Sequence, residues 1–266
     1  MTLARRIAGA LGREVADLAP LHGGDLSDVW LARLADGGRV VAKTGPRVAA
    51  EARMLRAMAR AGAPVPGVRH QAGDLLLLDA LNETPASDAG WAALGAALRR
   101  LHISTADSYG WPEDYAFGSV GISNAPVSDW PRFWAENRLL AAPDCLPRDI
   151  RGRIDLLAHR LPDLLPASPP AALLHGDLWT GNVLFSGQNA FFIDPACYHG
   201  DGEVDLAMLR LFGAPPPPFF EGYGPPPAGH TARQPVYQLW PALVHLRLFG
   251  GGYRGMVTRL LDAADV

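Results

Sequence analysis

The sequence predicts an α+β fold of two lobes, a small lobe built on an antiparallel sheet and a larger, mainly helical lobe. Strand-like segments dominate the first 82 residues, where "SDVWLARL" and "RVVAKT" flank the hairpin signal "ADGG". Helical patterns dominate the rest of the chain, after a turn-rich break at "NETPASDAG". We therefore expect an N-lobe of residues 1–82 and a C-lobe of residues 83–266.

The N-lobe is predicted to follow the order strand, strand, helix, strand. The helix covers residues 48–61, where Ala, Met, Leu and Arg recur, and "GAPVPGV" ends it. The next segment, "RHQAGDLLLLDAL", is typical of a turn followed by one buried strand. The N-terminal "MTLARRIAGALG" has the spacing of an amphipathic helix, and its apolar run is too short for a signal peptide.

The C-lobe is predicted to be helical around a few short strands. Asp88 is a candidate N-cap for the helix "AGWAALGAALRRLH", and Ser128 or Asp129 for the helix after it. Residues 149–165 should form a further helix, and a last helical region should cover about 234–264. The segment "GAPPPPFFEGYGPPP" is expected to be irregular because of its prolines.

Composition argues against several classes of function. A net charge of -3 gives no basic field for nucleic acid, and no run of 18 apolar residues could span a membrane. Cys145 and Cys197 make no disulfide framework in a chain of this length, and no Cys/His cluster has zinc-site spacing. We expect a cytoplasmic globular protein, monomeric or weakly dimeric, with neither a nucleic-acid nor a membrane partner.

The segment "LLHGDLWTGNVLF" places polar residues on a tight loop between two apolar runs typical of short buried strands. Asp177 and Asn182 lie on this loop, and Asp194 follows in "FFIDPA". One carboxylate can accept a proton from a hydroxyl group, while the Asn oxygen and the other carboxylate can hold Mg²⁺. This division of labour is that of the phosphoryl-transfer site of protein kinases. It predicts Asp177 as the base and Asn182 and Asp194 as metal ligands.

The N-lobe carries the residues that such a site needs for the phosphates of ATP. Gly23, Gly24 and Ser27 lie in "HGGDLSD", a turn that could cover the phosphates. Lys43 in "VVAKT" can neutralise them, and Glu51 on the following helix can hold Lys43 in place. The N-lobe is thus predicted to bind the nucleotide phosphates, and the C-lobe to hold the catalytic loop, the metal and the acceptor.

Each of these residues also has an ordinary structural interpretation. A Gly pair is usually a plain turn, Lys43 could be a solvated strand end, and Glu51 could favour the helix dipole. Asp177 could be a turn former, and Asp194 could cap a strand end. Their joint occurrence, in the expected order and on the expected elements, favours the kinase-like interpretation.

Longer segments resemble the fructosamine kinase family, the ketosamine 3-kinases, which are relatives of aminoglycoside phosphotransferases and choline kinases. The similar segments are "LLHGDLWTGNVLF", "FFIDPACYHGDGEVDLAMLRLFG", "YGWPEDYAFGSVGISNAPVSDWPRFWAENRLL" and "RQPVYQLWPALVHLRLFGGGY". The resemblance covers nearly the whole chain and is weakest in the N-lobe. It implies a protein kinase-like fold and ATP- and Mg²⁺-dependent phosphorylation of a ketosamine, a sugar joined to an amine or a protein lysine, at O3.

The resemblance also implies roles for individual residues. The adenine would rest on backbone groups of residues 79–82, which makes Asp79 and Leu81 candidates. Trp179 is a candidate platform for the acceptor sugar and His245 a candidate acceptor contact, although both could instead be core residues.

The resemblance also implies supporting roles for two further residues of the C-lobe. Asp205 resembles a buried Asp that braces the catalytic loop, and His175 is expected to tie that loop together.

The chain departs from the family in three places. The turn "HGGDLSD" has less glycine than in many members and no Cys, and the spacing of Lys43 and Glu51 is short. Gly202 replaces the basic residue of "GDREVDLA", a change that could alter acceptor preference.

Two other functions stay open at this point. One is a kinase for an aminoglycoside, choline or a homoserine-like alcohol, against which the Trp179 loop and "YHGDGEVDLAM" argue. The other is a catalytically silent pseudokinase that acts as a binding module. A pseudokinase would be expected to lose catalytic residues, whereas Lys43, Asp177, Asn182 and Asp194 are all present.

Overall fold

A five-stranded antiparallel sheet with two helices forms the N-lobe. The computed structural model describes residues 1–21, 28–142 and 145–266. The strand order in the sheet is β1-β2-β3-β5-β4. The elements are α1 (Leu3–Leu11), β1 (Val15–Pro20), β2 (Asp28–Leu34), β3 (Arg39–Thr44), α2 (Val48–Arg60), β4 (Val68–Ala72) and β5 (Leu75–Asp79).

The two edge strands of this sheet, β1 and β4, were not predicted. Their side chains are half-buried or exposed, and they include Asp17, Arg69 and Gln71. Edge strands with polar residues lack the apolar signal that identifies the buried central strands. In β5, by contrast, the four leucines are all buried, and this strand was predicted.

The C-lobe follows a segment without helix or strand, residues 80–87, which contains the predicted boundary at residue 82. Three small sheets in this lobe have the strand orders β12-β9-β6, β10-β11 and β7-β8. The helices are α3 (Asp88–Ile103), α4 (Trp130–Trp134), α5 (Arg148–Leu164), α6 (Glu203–Leu209), α7 (Pro217–Tyr223), α8 (His230–Phe249) and α9 (Arg254–Ala263). The strands are β6 (Thr105–Ala106), β7 (Tyr115–Phe117), β8 (Val120–Ile122), β9 (Ala171–Leu174), β10 (Val183–Ser186), β11 (Asn189–Phe192) and β12 (Tyr198–Gly200).

Local chemistry explains where several of these helices begin. Asp129 caps α4 as predicted, since its Oδ1 accepts a hydrogen bond from the Arg132 N–H at 2.7 Å. The predicted cap of α3 was wrong by one residue, because Ser87 accepts from the Gly90 N–H. The proline-rich segment was also predicted wrongly. It contains α7, which begins at Pro217, and proline is tolerated at the first position of a helix.

Helix α2 packs against the hydrophobic cores of both lobes. Val48 and Leu55 are buried with the leucines of β5. Met54 and Met58 are buried in a C-lobe cluster, and the Cys197 N–H lies 3.3 Å from the Met54 sulfur. The helix that carries Glu51 is therefore fixed to both lobes.

No helix within the described ranges combines the length and the apolar composition needed to cross a bilayer.

Helices α3 and α7 approach so closely that glycine is required on both sides of the contact. A Cβ on Gly95 would lie 2.0 Å from the Phe219 carbonyl oxygen, and one on Gly222 2.0 Å from the Ala92 carbonyl oxygen. We expect Gly95→Ala to lower the free energy of unfolding by about 1–3 kcal/mol, because a backbone atom must move.

The matched control is Gly152→Ala on α5, where no atom lies within 4 Å of the added Cβ. There the free energy of unfolding should rise by about 0.5–1 kcal/mol, since alanine loses less chain entropy in a helix. Urea denaturation of both variants measures the difference. Equal stability of the two variants would show that the helices are not in close contact.

Candidate active site

The catalytic loop connects β9 to β10 and depends on glycine for its shape. Gly176 has φ +81°, and a Cβ there would lie 2.0 Å from the Ala196 carbonyl oxygen. A short 3₁₀ turn, Thr180–Asn182, leads into β10. The loop thus holds Asp177 and Asn182 between two buried strands, as the sequence predicted.

Asp205 braces this loop from α6. Its carboxylate accepts hydrogen bonds from the backbone N–H groups of His175 at 2.8 Å and Gly176 at 3.0 Å. His102 Nε2 donates to the same carboxylate at 3.1 Å. Burial alone would raise the pKa of Asp205, but the hydrogen bond and the charge of His102 outweigh it and lower that pKa. A buried, ionised carboxylate therefore holds the loop backbone, which confirms the expected bracing role.

His175 joins the loop to the strand that precedes Asp194. Its Nε2 donates to the Ile193 carbonyl oxygen at 2.9 Å, so its Nδ1 can accept from the Asp177 N–H at 3.2 Å. Burial lowers the pKa of His175 and favours this neutral form. His175 thus ties the loop to the backbone next to Asp194.

Asp177 and Asn182 are hydrogen-bonded to each other. Asn182 Nδ2 donates to Asp177 Oδ2 at 3.0 Å and to the Asp177 carbonyl oxygen at 2.8 Å. Among the described residues, no hydrogen bond to the Asn182 amide oxygen is present. Burial raises the pKa of Asp177 to about 7, against the opposing effect of the Asn182 hydrogen bond. The carboxyl group can therefore both accept and release a proton near neutral pH.

Lys43 connects the two lobes through two carboxylates. Its Nζ donates to Glu51 Oε1 at 2.7 Å and also contacts Asp194. Burial disfavours the charge of Lys43, but the carboxylates of Glu51 and Asp194 outweigh it and raise its pKa. Asp194 adopts a left-handed conformation with φ 52°, which is uncommon outside glycine and concentrates at functional sites. The structure thus brings together Lys43, Glu51 and Asp194.

The remaining residues predicted to bind ATP lie between β1 and β2 and at or just after the end of β5. Gly23, Gly24 and Ser27 lie outside the described residues, in the connection between β1 and β2. Asp79 ends β5, and its N–H donates to the Gly67 carbonyl oxygen at 3.0 Å. That N–H is therefore already paired.

Trp179 and His245 are both linked to Phe212, which the sequence analysis did not identify. Trp179 is 39% exposed, so the core interpretation of this residue is wrong. Its ring lies over Gly181 and meets the Phe212 ring at a centroid distance of 6.1 Å. The Phe212 ring in turn lies 5.1 Å from that of half-buried His245. Phe212 follows the end of α6, and its sequence position carries no signal of a contact with the catalytic loop.

A second unpredicted feature is the segment that approaches α2 from the C-lobe. Arg53 forms a two-point ion pair with Glu113, and Arg47 donates to the Gly118 carbonyl oxygen at 2.9 Å. A cleft of 360 Å³ lies between residues 46–53 and 113–116. Tyr115 lines this cleft, and burial together with the charges of Glu51 and Asp194 raises its pKa.

Gly202 leaves room for the histidine that supports Asp205. A Cβ at this position would lie 2.8 Å from His102 Nδ1, which itself pairs with the Tyr223 hydroxyl at 2.9 Å. At Gly202, where this chain departs from the family motif, His102 occupies the space next to the missing side chain.

Comparison with known proteins agrees with this geometry. A family model described as fructosamine kinase matches residues 2–264. The chain belongs to the fructosamine kinase family. It is 36% identical to a "probable ketoamine kinase" of Thermus thermophilus, over 92% of this chain and 93% of that protein. A "probable ketoamine kinase" of Escherichia coli is 33% identical over 98% of this chain and 97% of its own length.

Two solved structures, one described as a fructosamine kinase and one as a macrolide phosphotransferase, share the fold of this chain. A protein of Thermobifida fusca, provisionally assigned as a fructosamine-3-kinase, superposes with a TM-score of 0.90 at 33% identity, covering 99% of this chain and 98% of that one. A macrolide 2'-phosphotransferase of Brachybacterium faecium, at 21% identity, shares the fold with a TM-score of 0.65 over 97% and 96% of the chains. The predicted α+β, protein kinase-like fold is confirmed. The chain is an ATP-dependent phosphotransferase of the ketosamine kinase type.

The brace can be tested with Asp205→Asn, which keeps the side-chain shape and removes the charge. We expect the free energy of unfolding to fall by about 2–3 kcal/mol, because hydrogen bonds to a buried charged group are lost. We also expect kcat to fall by at least tenfold, since Asp177 is held through this loop. Denaturation and turnover are measured beside Asp163→Asn, an exposed aspartate of α5. If the two variants behave alike, Asp205 does not brace the loop.

Proposed function

We propose that this enzyme transfers the γ-phosphoryl group of ATP to the O3 hydroxyl of a ketosamine, with Asp177 as the general base. The observation that supports the proposal is the hydrogen-bonded pair of Asp177 and Asn182, on a braced loop, together with Lys43 held by Glu51 and Asp194. Membership of the fructosamine kinase family supports a sugar-amine as the acceptor. Phosphorylation of O3 would make the sugar-amine bond labile, so the physiological role would be repair of glycated amines or of glycated lysine in proteins.

Asp177 would receive the proton of the acceptor hydroxyl. With a pKa of about 7, a substantial fraction of this carboxyl group is ionised at neutral pH, and it remains basic enough to accept a proton. The hydrogen bond from Asn182 fixes the orientation of the carboxylate. Most of the remaining rate acceleration would come from positioning and charge neutralisation, as is usual in phosphoryl transfer.

The oxygen ligands of this site fit Mg²⁺. Mg²⁺ in phosphate-binding sites takes one or two carboxylates together with phosphate and water oxygens. Asn182 offers its amide oxygen, which has no partner among the described residues, and Asp194 offers a partly exposed carboxylate; we propose that these two residues hold the ion. Bound there, Mg²⁺ would neutralise charge on the phosphates of ATP.

Lys43, held by Glu51, would clamp the α- and β-phosphates. The turn containing Gly23, Gly24 and Ser27 would cover the phosphates, and backbone groups of Asp79 and Leu81 would contact the adenine. On the acceptor side, Trp179 and His245 would flank the sugar, since Trp179 is two residues from the proposed base.

We also propose that the protein is a monomer or weak dimer in the cytoplasm, without a nucleic-acid or membrane partner. The net charge of -3 gives no basic field that would attract nucleic acid. Sedimentation at micromolar concentration would measure the oligomeric state.

The activity is tested by ADP release and ³¹P NMR with ribulosamine, erythrulosamine and fructosamine, against free ketoses and an aminoglycoside. We expect ketosamines phosphorylated at O3 to be preferred. Asp177→Asn should lower turnover by at least about 10²-fold, because the proton acceptor is lost, with ATP binding kept. Turnover within threefold of the wild type would rule out Asp177 as the base, and a preferred aminoglycoside would favour the alternative kinase.

Activity should depend on pH in the direction set by Asp177. The carboxyl group must be ionised to act as a base, and burial raises its pKa to about 7. We therefore expect kcat/KM for the acceptor to fall about tenfold between pH 8 and pH 6. ATP binding measured at both pH values is the control, and a flat acceptor profile would contradict the assignment.

The metal assignment is tested with Asp194→Ala. Loss of the carboxylate should abolish the additional thermal stabilisation that Mg²⁺ gives in the presence of ATP, because only Asn182 would remain as a protein ligand. Asp163→Ala serves as the exposed control. A variant that retains the full Mg²⁺-dependent shift would show that Asp194 does not hold the ion.

A further inference from the structure

Five rings form a continuous surface that begins at the catalytic loop. Within the described ranges, the exposed Phe, Trp and Tyr side chains are Trp179, Phe212 and Phe249. His245 connects them, with centroid distances of 5.1 Å to Phe212, 5.5 Å to Phe249 and 5.0 Å to Tyr253. We call these five residues the aromatic wall. Exposed apolar patches of this kind mark binding sites more often than scattered surface residues do.

The wall begins beside the proposed base. Trp179 is two residues from Asp177, and a Cβ on Gly181 would lie 2.3 Å from the Trp179 ring. The other rings follow from the end of α6 and from the last turn of α8 with the short 3₁₀ turn after it. Because Trp179 and Asp177 share the catalytic loop, an acceptor whose hydroxyl reaches Asp177 would approach the wall from its Trp179 end.

The chemistry of the wall suits a cation with N–H donors. Aromatic faces attract an ammonium group through their negative quadrupole. His245 Nδ1 donates to the Pro241 carbonyl oxygen at 2.8 Å, so the neutral ring offers Nε2 as a hydrogen-bond acceptor. The five side chains include no carboxylate, so the attraction of the wall for an ammonium group would come from its ring faces and not from an opposite charge.

We propose that the aromatic wall binds the protonated amine of the acceptor, and that Phe212 and Phe249 determine the preference for amine-linked sugars. The inference rests on the proposed function. In a ketosamine, three carbon atoms separate the O3 oxygen from the amine nitrogen. With O3 at Asp177, the ammonium lies beside Trp179 and Phe212, and its alkyl substituent extends along Phe249 and Tyr253 toward solvent.

The test compares two acceptors that differ only at the atom bonded to C1, which is a protonated amine with N–H donors in one and a neutral ether oxygen in the other. One is a 1-alkylamino-1-deoxyketose, and the other is the 1-O-alkyl ketose of the same chain length. For the wild type, we expect kcat/KM to favour the amine by at least tenfold. Phe212→Leu and Phe249→Leu keep apolar area but remove the aromatic face. Each should reduce that preference by threefold or more, with the ATP KM unchanged.

Two further variants separate recognition from packing. Phe220→Leu on α7, whose ring contacts Phe219 and Arg210, should leave the preference unchanged. Phe249→Tyr keeps an aromatic face and should also retain it. Melting temperatures confirm that each variant is folded, as expected for side chains that are about half exposed.

The outcomes distinguish this inference from the function on which it rests. A wild type that phosphorylates neither acceptor overturns the proposed function. A wild type that phosphorylates both, with a preference unchanged within twofold in Phe212→Leu and Phe249→Leu, overturns the role of the wall alone. Equal losses for the amine and the ether acceptor also overturn it, because they indicate apolar packing without recognition of charge.

Discussion

The buried ammonium group of Lys43 is the constraint on which the arrangement of the site depends. Lys43 and Glu51 are each 6% exposed, and a charge removed from water to this extent must be paired. One partner, Glu51, comes from α2, and the other, Asp194, comes from the C-lobe beyond β11. The same pairing therefore fixes the sheet, α2 and the Asp194 carboxylate relative to one another.

The C-lobe separates the residues that support the catalytic loop from those proposed to react. Asp205 and His175 are fully buried. Asp205 accepts from the loop backbone and pairs with His102, and His175 donates to the Ile193 carbonyl oxygen. Asp177 is half-buried and Trp179 exposed, so both remain accessible to substrate. Because Asp205 and His175 hold the backbone of the catalytic loop, the side chains of Asp177 and Trp179 need few contacts of their own.

Much of the fold was predictable because its central elements have strong apolar patterns. The central strands, α2 and the catalytic loop were predicted, and the edge strands β1 and β4 were missed because their polar residues give no such pattern. Lys43 and Glu51 do meet at 2.7 Å, although they are only eight residues apart, because β3 and the first turns of α2 face each other.

The site was predictable to the extent that its residues lie in short motifs. Asp177, Asn182 and Asp194 fall within one such stretch, so their proximity follows from local strand pairing. Phe212 and Phe249 come from separate parts of the chain, and tertiary packing alone brings Phe212 to Trp179 and to His245, which Phe249 also contacts. The roles of Gly23, Gly24 and Ser27 and the binding of Mg²⁺ remain predictions.

The packing of α2 against the C-lobe determines how firmly Glu51 is held beside Lys43. Met54 and Met58 are fully buried in the C-lobe core, and burial of such a side chain is worth about 1.5–3 kcal/mol. Moving the helix away from the C-lobe would expose both, so fewer than about one molecule in a hundred would have α2 displaced at any moment. The carboxylate of Glu51 is therefore already in place beside Lys43 before any substrate arrives.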